Sequence, residues 1–256
     1  MKEIISKINK NNVYVILDFD RTITAEDSAD SWDASGKLLG KEFAEQLNKL
    51  YKIYRPIELD YSISMNEKEK AMVTWYGECM DLYLKYNLTQ QKVKESVQKS
   101  DLIYRKGAKE FLEKLAQEKI PVIILSAGIG NVIKFLQKTN CYFDNMYIIS
   151  NFLEFDETGK MKKFDNTKII HTLNKTMNGK LPKEFQSKIK NRTYKILVGD
   201  LIEDEKMVEK EEWNTTLKVA MLDKPTKENI NLYKENFDLV LIKKEADFRK
   251  ISELLF

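Results

Sequence analysis

Cysteine and histidine are nearly absent from this 256-residue sequence, which holds two Cys and one His. Cys79 and Cys141 stand far apart with no Cys or His at ligand spacing, which argues against a disulfide framework and against a thiolate metal site. Each reads as a small buried hydrophobe. Long apolar runs are missing too: no stretch reaches the length of a membrane span, and Met1 to Asn12 alternates Lys and Asn with short apolar pairs, unlike a signal peptide. The expectation is a soluble, cytoplasmic protein without a membrane partner. Net charge is small as well, at +3 from 43 basic and 40 acidic residues, with lysines scattered among glutamates. A nucleic-acid polymer would call for a clustered basic face with aromatics between the charges, so no such partner is expected.

With 43% apolar residues the chain can bury a large core, as one domain or one domain with an insertion. Val13 to Leu17 (VYVIL) is a short apolar run ending in Asp18, Pro121 to Leu125 (PVIIL) runs into Ser126, and Tyr194 to Val198 (YKILV) runs into Gly199 and Asp200. Further strand candidates are Met146 to Ile149, Leu217 to Met221 and Leu239 to Ile242, with helical patterns such as Ala108 to Gln117 and Asn131 to Lys138 between strands. This alternation predicts an α/β fold with a Rossmann-like parallel sheet, whose ligands bind beyond the carboxyl ends of the strands. Between Thr24 and about Tyr104 the pattern turns long, charged and helical (Lys37 to Tyr54, Glu67 to Tyr86, Gln90 to Ser100), which predicts an inserted helical cap over residues 25–104 on a core of residues 1–24 and 105–256. The polar stretch Asn174 to Arg192, with Pro182, reads as a surface excursion.

In Asp18-Phe19-Asp20-Arg21-Thr22, strand alternation points Asp18 and Asp20 to one side and Phe19 to the other. Two close carboxylates repel unless a cation neutralises them, and an oxygen-rich site suits Mg²⁺. Such a pair by itself is equally a solvated turn, so its context matters. Ser126 precedes Ala127-Gly128-Ile129-Gly130, where small residues and a helix start can offer N–H groups to a phosphate. A dinucleotide fingerprint fails there, because its third glycine is Ile133. Asp200, with Asp204 one helical turn later, forms a second acidic cluster able to complete a metal's oxygen shell; as an isolated feature, Asp200 is also an ordinary helix cap.

Asp18-x-Asp20-x-Thr22, Ser126, Lys175 and Gly199-Asp200 with Asp204 resemble the four ordered motifs of the haloacid-dehalogenase superfamily. SAGIGNVI (Ser126 to Ile133), SNFLEFDETGKMKKF (Ser150 to Phe164) and HTLNK (His171 to Lys175) resemble the cytosolic 5'-nucleotidase III, or pyrimidine 5'-nucleotidase, family. The resemblance implies a Mg²⁺-dependent phosphomonoesterase acting on a small-molecule substrate, a nucleoside 5'-monophosphate: pyrimidine, or 7-methylguanosine monophosphate. It implies Asp18 as the nucleophile that becomes an aspartyl-phosphate and Asp20 as general acid and then base. The metal would be held by Asp18, Asp200 and the Asp20 carbonyl, with Asp204 behind them. Thr22, Ser126, Ala127, Gly128 and Lys175 would serve the phosphate.

Tyr54-Arg55-Pro56-Ile57-Glu58 resembles the family segment in which a glutamate faces the base, which makes Glu58 the candidate base reader. Trp75 at helical spacing is ordinarily core but could stack on a base, and the sole histidine, His171, has no part in the four-motif chemistry and reads as a packing or helix-surface residue. Glu26 to Gly36 departs from the animal members, and Arg21 fills a usually variable position. Two alternatives stand beside this reading: a phosphatase for phosphoserine or another small phosphometabolite, and a non-catalytic nucleotide-binding protein.

Overall fold

The computed structural model describes residues 2–60, 62–134, 142–177 and 179–256. Among them one sheet forms from β1 (Val13–Leu17), β2 (Val122–Ile129), β3 (Met146–Asn151), β4 (Tyr194–Gly199), β5 (Thr216–Leu222) and β6 (Leu239–Ile242). Every neighbouring pair is parallel and the order is β3-β2-β1-β4-β5-β6. The helices are α1 (Lys2–Ile5), α2 (Ser31–Gly36), α3 (Lys41–Leu59), α4 (Met65–Lys85), α5 (Gln90–Lys99), α6 (Ala108–Gln117), α7 (Gly130–Ile133), α8 (Lys183–Ile189), α9 (Lys227–Asn236) and α10 (Phe248–Leu255).

The strands are mostly apolar, broken by Lys195 in β4 and Lys218 in β5, because both faces of the sheet are covered. Alternation sends Val13, Val15 and Leu17 of β1 to one face, against Phe111, Leu112 and Leu115 of α6 and Phe248 and Ile251 of α10. It sends Tyr14 and Ile16 to the other, with Phe185 of α8 and Tyr233 of α9. The chain steps outward from β1 through β2 to β3, then returns to place β4 on the other side of β1. That reversal opens a crevice at the carboxyl ends of β1 and β4, where parallel sheets bind ligands.

Helices α2 to α5 occupy the stretch between β1 and α6. Its two connections to the sheet run side by side: Thr24 pairs with Tyr104 antiparallel, Ala25 N–H donates to Ile103 O at 2.8 Å, and Arg105 N–H donates to Ile23 O at 2.8 Å. Ser64 and Glu67 close a reciprocal cap at the start of α4, and Thr89 caps α5. Phe43, Leu47, Met80 and Tyr83 from these helices share an apolar cluster with Ile129 at the end of β2 and Val132 of α7.

The sequence expectations differ from the structure at two places. Ser126 does not end β2; the strand runs on to Ile129, with its register against β3 shifting between Leu125 and Ile129. Asn174 to Arg192 is more than an excursion, since it contains α8, whose Phe185 is anchored in the core. Cys79 is buried as expected, whereas Cys141 and the expected helix beyond residue 134 lie outside the described residues.

Candidate active site

The first carboxylate comes from β1. Asp18 continues the extended backbone, its N–H donating to Val198 O at 3.0 Å, and its side chain is buried at the crevice. Phe19 turns the other way into the core. The chain then tightens into a one-turn loop closed by Thr24 N–H on Phe19 O, with Arg21 at φ +62°, a conformation uncommon for a side-chain-bearing residue. Buried Arg105 clamps this loop: its guanidinium donates to the carbonyls of Arg21, Thr22 and Ala246 and to both oxygens of Asp223. A planar fork with several fixed donors suits that task.

Lys175 is almost wholly enclosed, with Nζ 2.5 Å from Asp18 Oδ1 and 2.7 Å from Asp204 Oδ1. Burial by itself would lower its pKa, but the two carboxylates outweigh burial and hold the ammonium charged. Asp204 is fully buried, and its second oxygen accepts from Asp200 N–H and Leu201 N–H, each at 3.0 Å. It is therefore Asp204, not Asp200, that caps this turn. Gly199 makes this possible, since a Cβ there would lie 2.3 Å from Asp204 Oδ2.

Asp20 is gripped by the start of α2: Ser31 N–H donates to Oδ1 at 2.8 Å and Ser31 Oγ–H to Oδ2 at 2.5 Å. Across the crevice Ser126 Oγ accepts from Gly128 N–H at 3.0 Å, and Ala127 and Gly128 continue the wall.

Like charges crowd the crevice. Burial pushes Asp18 up to about 6 against the pull of Lys175. Burial and the charge of Asp30 push Asp20 up to about 8, with Ser31 opposing. Asp200 is driven well above the ordinary carboxylate range by burial, then by Asp18 and Asp204. Asp18, Asp200 and Asp204 each offer an oxygen within 4.8 Å of the others, an all-oxygen set that fits a hard divalent cation. Three hydrogen bonds already occupy Asp204, so Asp18 and Asp200 have the oxygens to give.

Asp18, Asp20, Ser126, Lys175 and Asp200 line a cavity of about 820 Å³ that also has Trp32, Tyr51, Trp75 and Tyr76 in its wall. Trp75 is half-buried and does both: it packs against the apolar clusters of the helical segment, and it lines the cavity, stacked on Tyr54 with ring centroids 6.0 Å apart. Glu58 also lines the cavity, but both its oxygens are engaged, one by the Arg55 guanidinium and one by Thr172 Oγ at 2.6 Å. Thr22 does not reach this space. The turn at Arg21 sends it inward, where it is fully buried, with its hydroxyl lacking a hydrogen-bond partner among the described residues. His171 is buried outside the cavity wall, accepting Leu173 N–H on Nδ1 at 3.2 Å, and burial, aided by Lys180, lowers its pKa to about 4. Of the two expected roles, packing or helix surface, it takes the first, as a neutral buried residue.

Sequence reasoning missed Ser31, Thr172, Arg105 and the partner role of Arg55. Only Arg55 carried a usable signal, the i,i+3 spacing to Glu58 on one helix.

Comparison with known proteins agrees with this architecture. The model of the pyrimidine 5'-nucleotidase (UMPH-1) family matches residues 26–253. The 7-methylguanosine phosphate-specific 5'-nucleotidase of Mus musculus is 29% identical over 259 residues, covering 96% of this chain and 86% of its own length. The Drosophila melanogaster protein of the same name is 29% identical over 241 residues, covering 89% and 74%. The crystal structure of cytosolic 5'-nucleotidase IIIB bound to cytidine superposes with a TM-score of 0.83 at 26% identity, over 98% of this chain and 88% of that one. A phosphoserine phosphatase structure, an analogue of its phospho-aspartyl intermediate, shares the fold at a TM-score of 0.61 and 20% identity, over 97% of this chain and 100% of that one. The chain belongs to the pyrimidine 5'-nucleotidase family and is a phosphoric monoester hydrolase with the haloacid-dehalogenase fold.

Proposed function

We propose that the chain is a Mg²⁺-dependent hydrolase of pyrimidine nucleoside 5'-monophosphates or 7-methylguanosine monophosphate. One observation carries this: a single cavity is lined both by carboxylates and a lysine, whose chemistry suits a phosphate and a metal, and by aromatic rings suited to a base. The cytidine bound to the IIIB relative and the 7-methylguanosine specificity named for the mouse relative support the two bases proposed.

In this reading Asp18 attacks phosphorus in line, the bond from phosphorus to the nucleoside 5'-oxygen breaks, and Asp20 passes a proton to that oxygen. Water then attacks the phosphorus of the aspartyl-phosphate and Asp20 takes its proton; phosphate leaves and the Asp18 carboxylate is restored. Lys175 places a fixed positive charge beside the nucleophile, while Ser126, Ala127 and Gly128 border the phosphate. The Asp18 and Asp200 carboxylates and the Asp20 carbonyl would hold Mg²⁺, which when bound offsets phosphate charge. Asp204 positions Lys175 and the 200–201 backbone.

Residues 25–104 serve as a cap on the core of residues 1–24 and 105–256, excluding water over the leaving group. Glu58 accepts from the exocyclic amino group of the base, exchanging one of its present partners for it. The protein is assigned to the cytoplasm, in keeping with the relative named cytosolic and with the lack, among the described residues, of any helix long and apolar enough to cross a membrane. It is read as having no nucleic-acid polymer among its partners.

The test is phosphate release by the wild type and Asp18→Asn, with Mg²⁺ and after chelation, across nucleoside 5'-monophosphates, 7-methylguanosine monophosphate, phosphoserine and sugar phosphates. Metal-dependent release from nucleotides that disappears in the variant is the expected result. Release confined to phosphoserine or sugar phosphates would overturn the substrate assignment, and undiminished release by Asp18→Asn would overturn the mechanism.

A further inference from the structure

Proton transfer at the leaving oxygen requires the Asp20 carboxyl to be held in one place. The grip comes from Ser31, whose N–H reaches Oδ1 at 2.8 Å and whose hydroxyl reaches Oδ2 at 2.5 Å. Ser31 is fully buried, and its Oγ also accepts Ile129 N–H at 3.0 Å. A serine hydroxyl has one proton to give; with an N–H already pointing at its oxygen, that proton is directed at Asp20. Each carboxylate oxygen has two lone-pair directions, so one donor per oxygen leaves the other direction for exchange with substrate.

The arrangement depends on close approach. A Cβ at position 128 would stand 1.9 Å from Ser31 Oγ and 2.6 Å from Asp20 Oδ2, so only glycine lets α2 settle this near β2. Ser31 also lies 11 residues beyond Asp20, within the inserted helical segment rather than in the loop that carries the nucleophile.

We infer that Ser31 is a positioning residue for Asp20: it fixes the carboxyl that exchanges the proton, and it makes that exchange depend on α2 being seated against the end of β2. The inference rests on the reading of Asp20 as general acid and base. A positioned acid contributes roughly 100- to 10,000-fold, so losing one of its two anchors is expected to remove about 30-fold of that.

The experiment compares kcat/KM for a nucleoside 5'-monophosphate and for its analogue with sulfur in the bridging 5' position, whose thiolate departs without needing a proton. Wild type, Ser31→Ala, Ser31→Thr, Asp20→Asn and Ser35→Ala are measured. Ser35 is a control on the same helix, buried and bonded to Tyr83 Oη and Trp32 O instead of Asp20. Ser31→Ala is expected to lose about 30-fold on the oxygen substrate but under about 3-fold on the sulfur one. Ser31→Thr, which keeps the hydroxyl, and Ser35→Ala should both retain the wild-type ratio. An equal loss on both substrates, no loss, or the same ratio change in Ser35→Ala would overturn the role of Ser31. An unchanged ratio in Asp20→Asn would instead remove the underlying reading, and the inference with it.

Discussion

Replacing Asp204 by Asn separates two roles that proximity to Asp18 and Asp200 leaves open, holding the loop and holding the metal. Asp204 accepts three hydrogen bonds, from Lys175 Nζ and from the N–H groups of Asp200 and Leu201. Asn has a single acceptor oxygen, which can keep both backbone donors only by turning its NH₂ towards the Lys175 ammonium. Losing a hydrogen bond to a charged group costs about 1.5–3 kcal/mol, and with donor set against donor the sum is about 3 kcal/mol. In a chain of this size that lowers Tm by about 6–12 °C.

Asp200→Asn should behave oppositely. Its carboxylate accepts no hydrogen bond among the described residues and suffers the charges of Asp18 and Asp204, so metal-free stability should hold or rise. What Asp200→Asn should lose is the rise in Tm that Mg²⁺ gives the wild type. Thermal unfolding of wild type and both variants, in chelator and in millimolar Mg²⁺, reads both effects. If Asp204→Asn kept the wild-type metal-free Tm yet lost the Mg²⁺ response as fully as Asp200→Asn, Asp204 would be a metal ligand and its role as the holder of the loop would be refuted.

Trp75→Ala should raise KM for nucleotides about 10-fold with kcat little changed, as expected for loss of one aromatic stacking surface; steady-state kinetics checks this. Gly199→Ala forces a Cβ to 2.5 Å from that of Asp204, and the expected cost is about 3 kcal/mol in urea unfolding, with loss of activity. His171 takes its proton at about 4 in the fold against an ordinary 6.5, so the unfolded chain binds that proton first and stability falls as pH drops from 6.5 towards 4. Discounted for solvent screening the loss is about 2 kcal/mol, and His171→Asn, compared with wild type by unfolding at pH 7 and pH 4.5, should remove that share of the acid sensitivity.

Much of the fold is legible from period and composition. All six strands appear where apolar runs predict them, because a parallel strand buried on both faces leaves a dense apolar signal that survives Lys195 in β4 and Lys218 in β5. The helices at 108–117 and 90–99 likewise follow their patterns. Strand ends are less legible: hydrogen bonding carries β2 three residues past Ser126, through Ala127 and Gly128, which have no strand signature, to Ile129.

At the site, Asp18, Asp20, Ser126 and Asp200 can be placed together from the chain, since motifs at strand ends converge wherever parallel strands end together, whereas Lys175 stands at no strand end and is singled out by the family resemblance alone. Their division of labour cannot be read there. Asp200 and Asp204 are told apart in the sequence only by the family resemblance, and the physical reason lies in the fold, which commits the oxygens of Asp204 to three donors. Thr22 belongs to the motif yet faces inward, because Arg21 turns the chain at a positive φ that no local pattern announces. Ser31 sits in a polar stretch with no periodic signal, and meets Asp20 only because Gly128 clears a path for α2. Sequence determined which elements form and which chemistry they bring, since those follow from local side-chain character. Tertiary structure decided which groups face one another, since a hydrogen bond between distant residues depends on packing that no short stretch of chain contains.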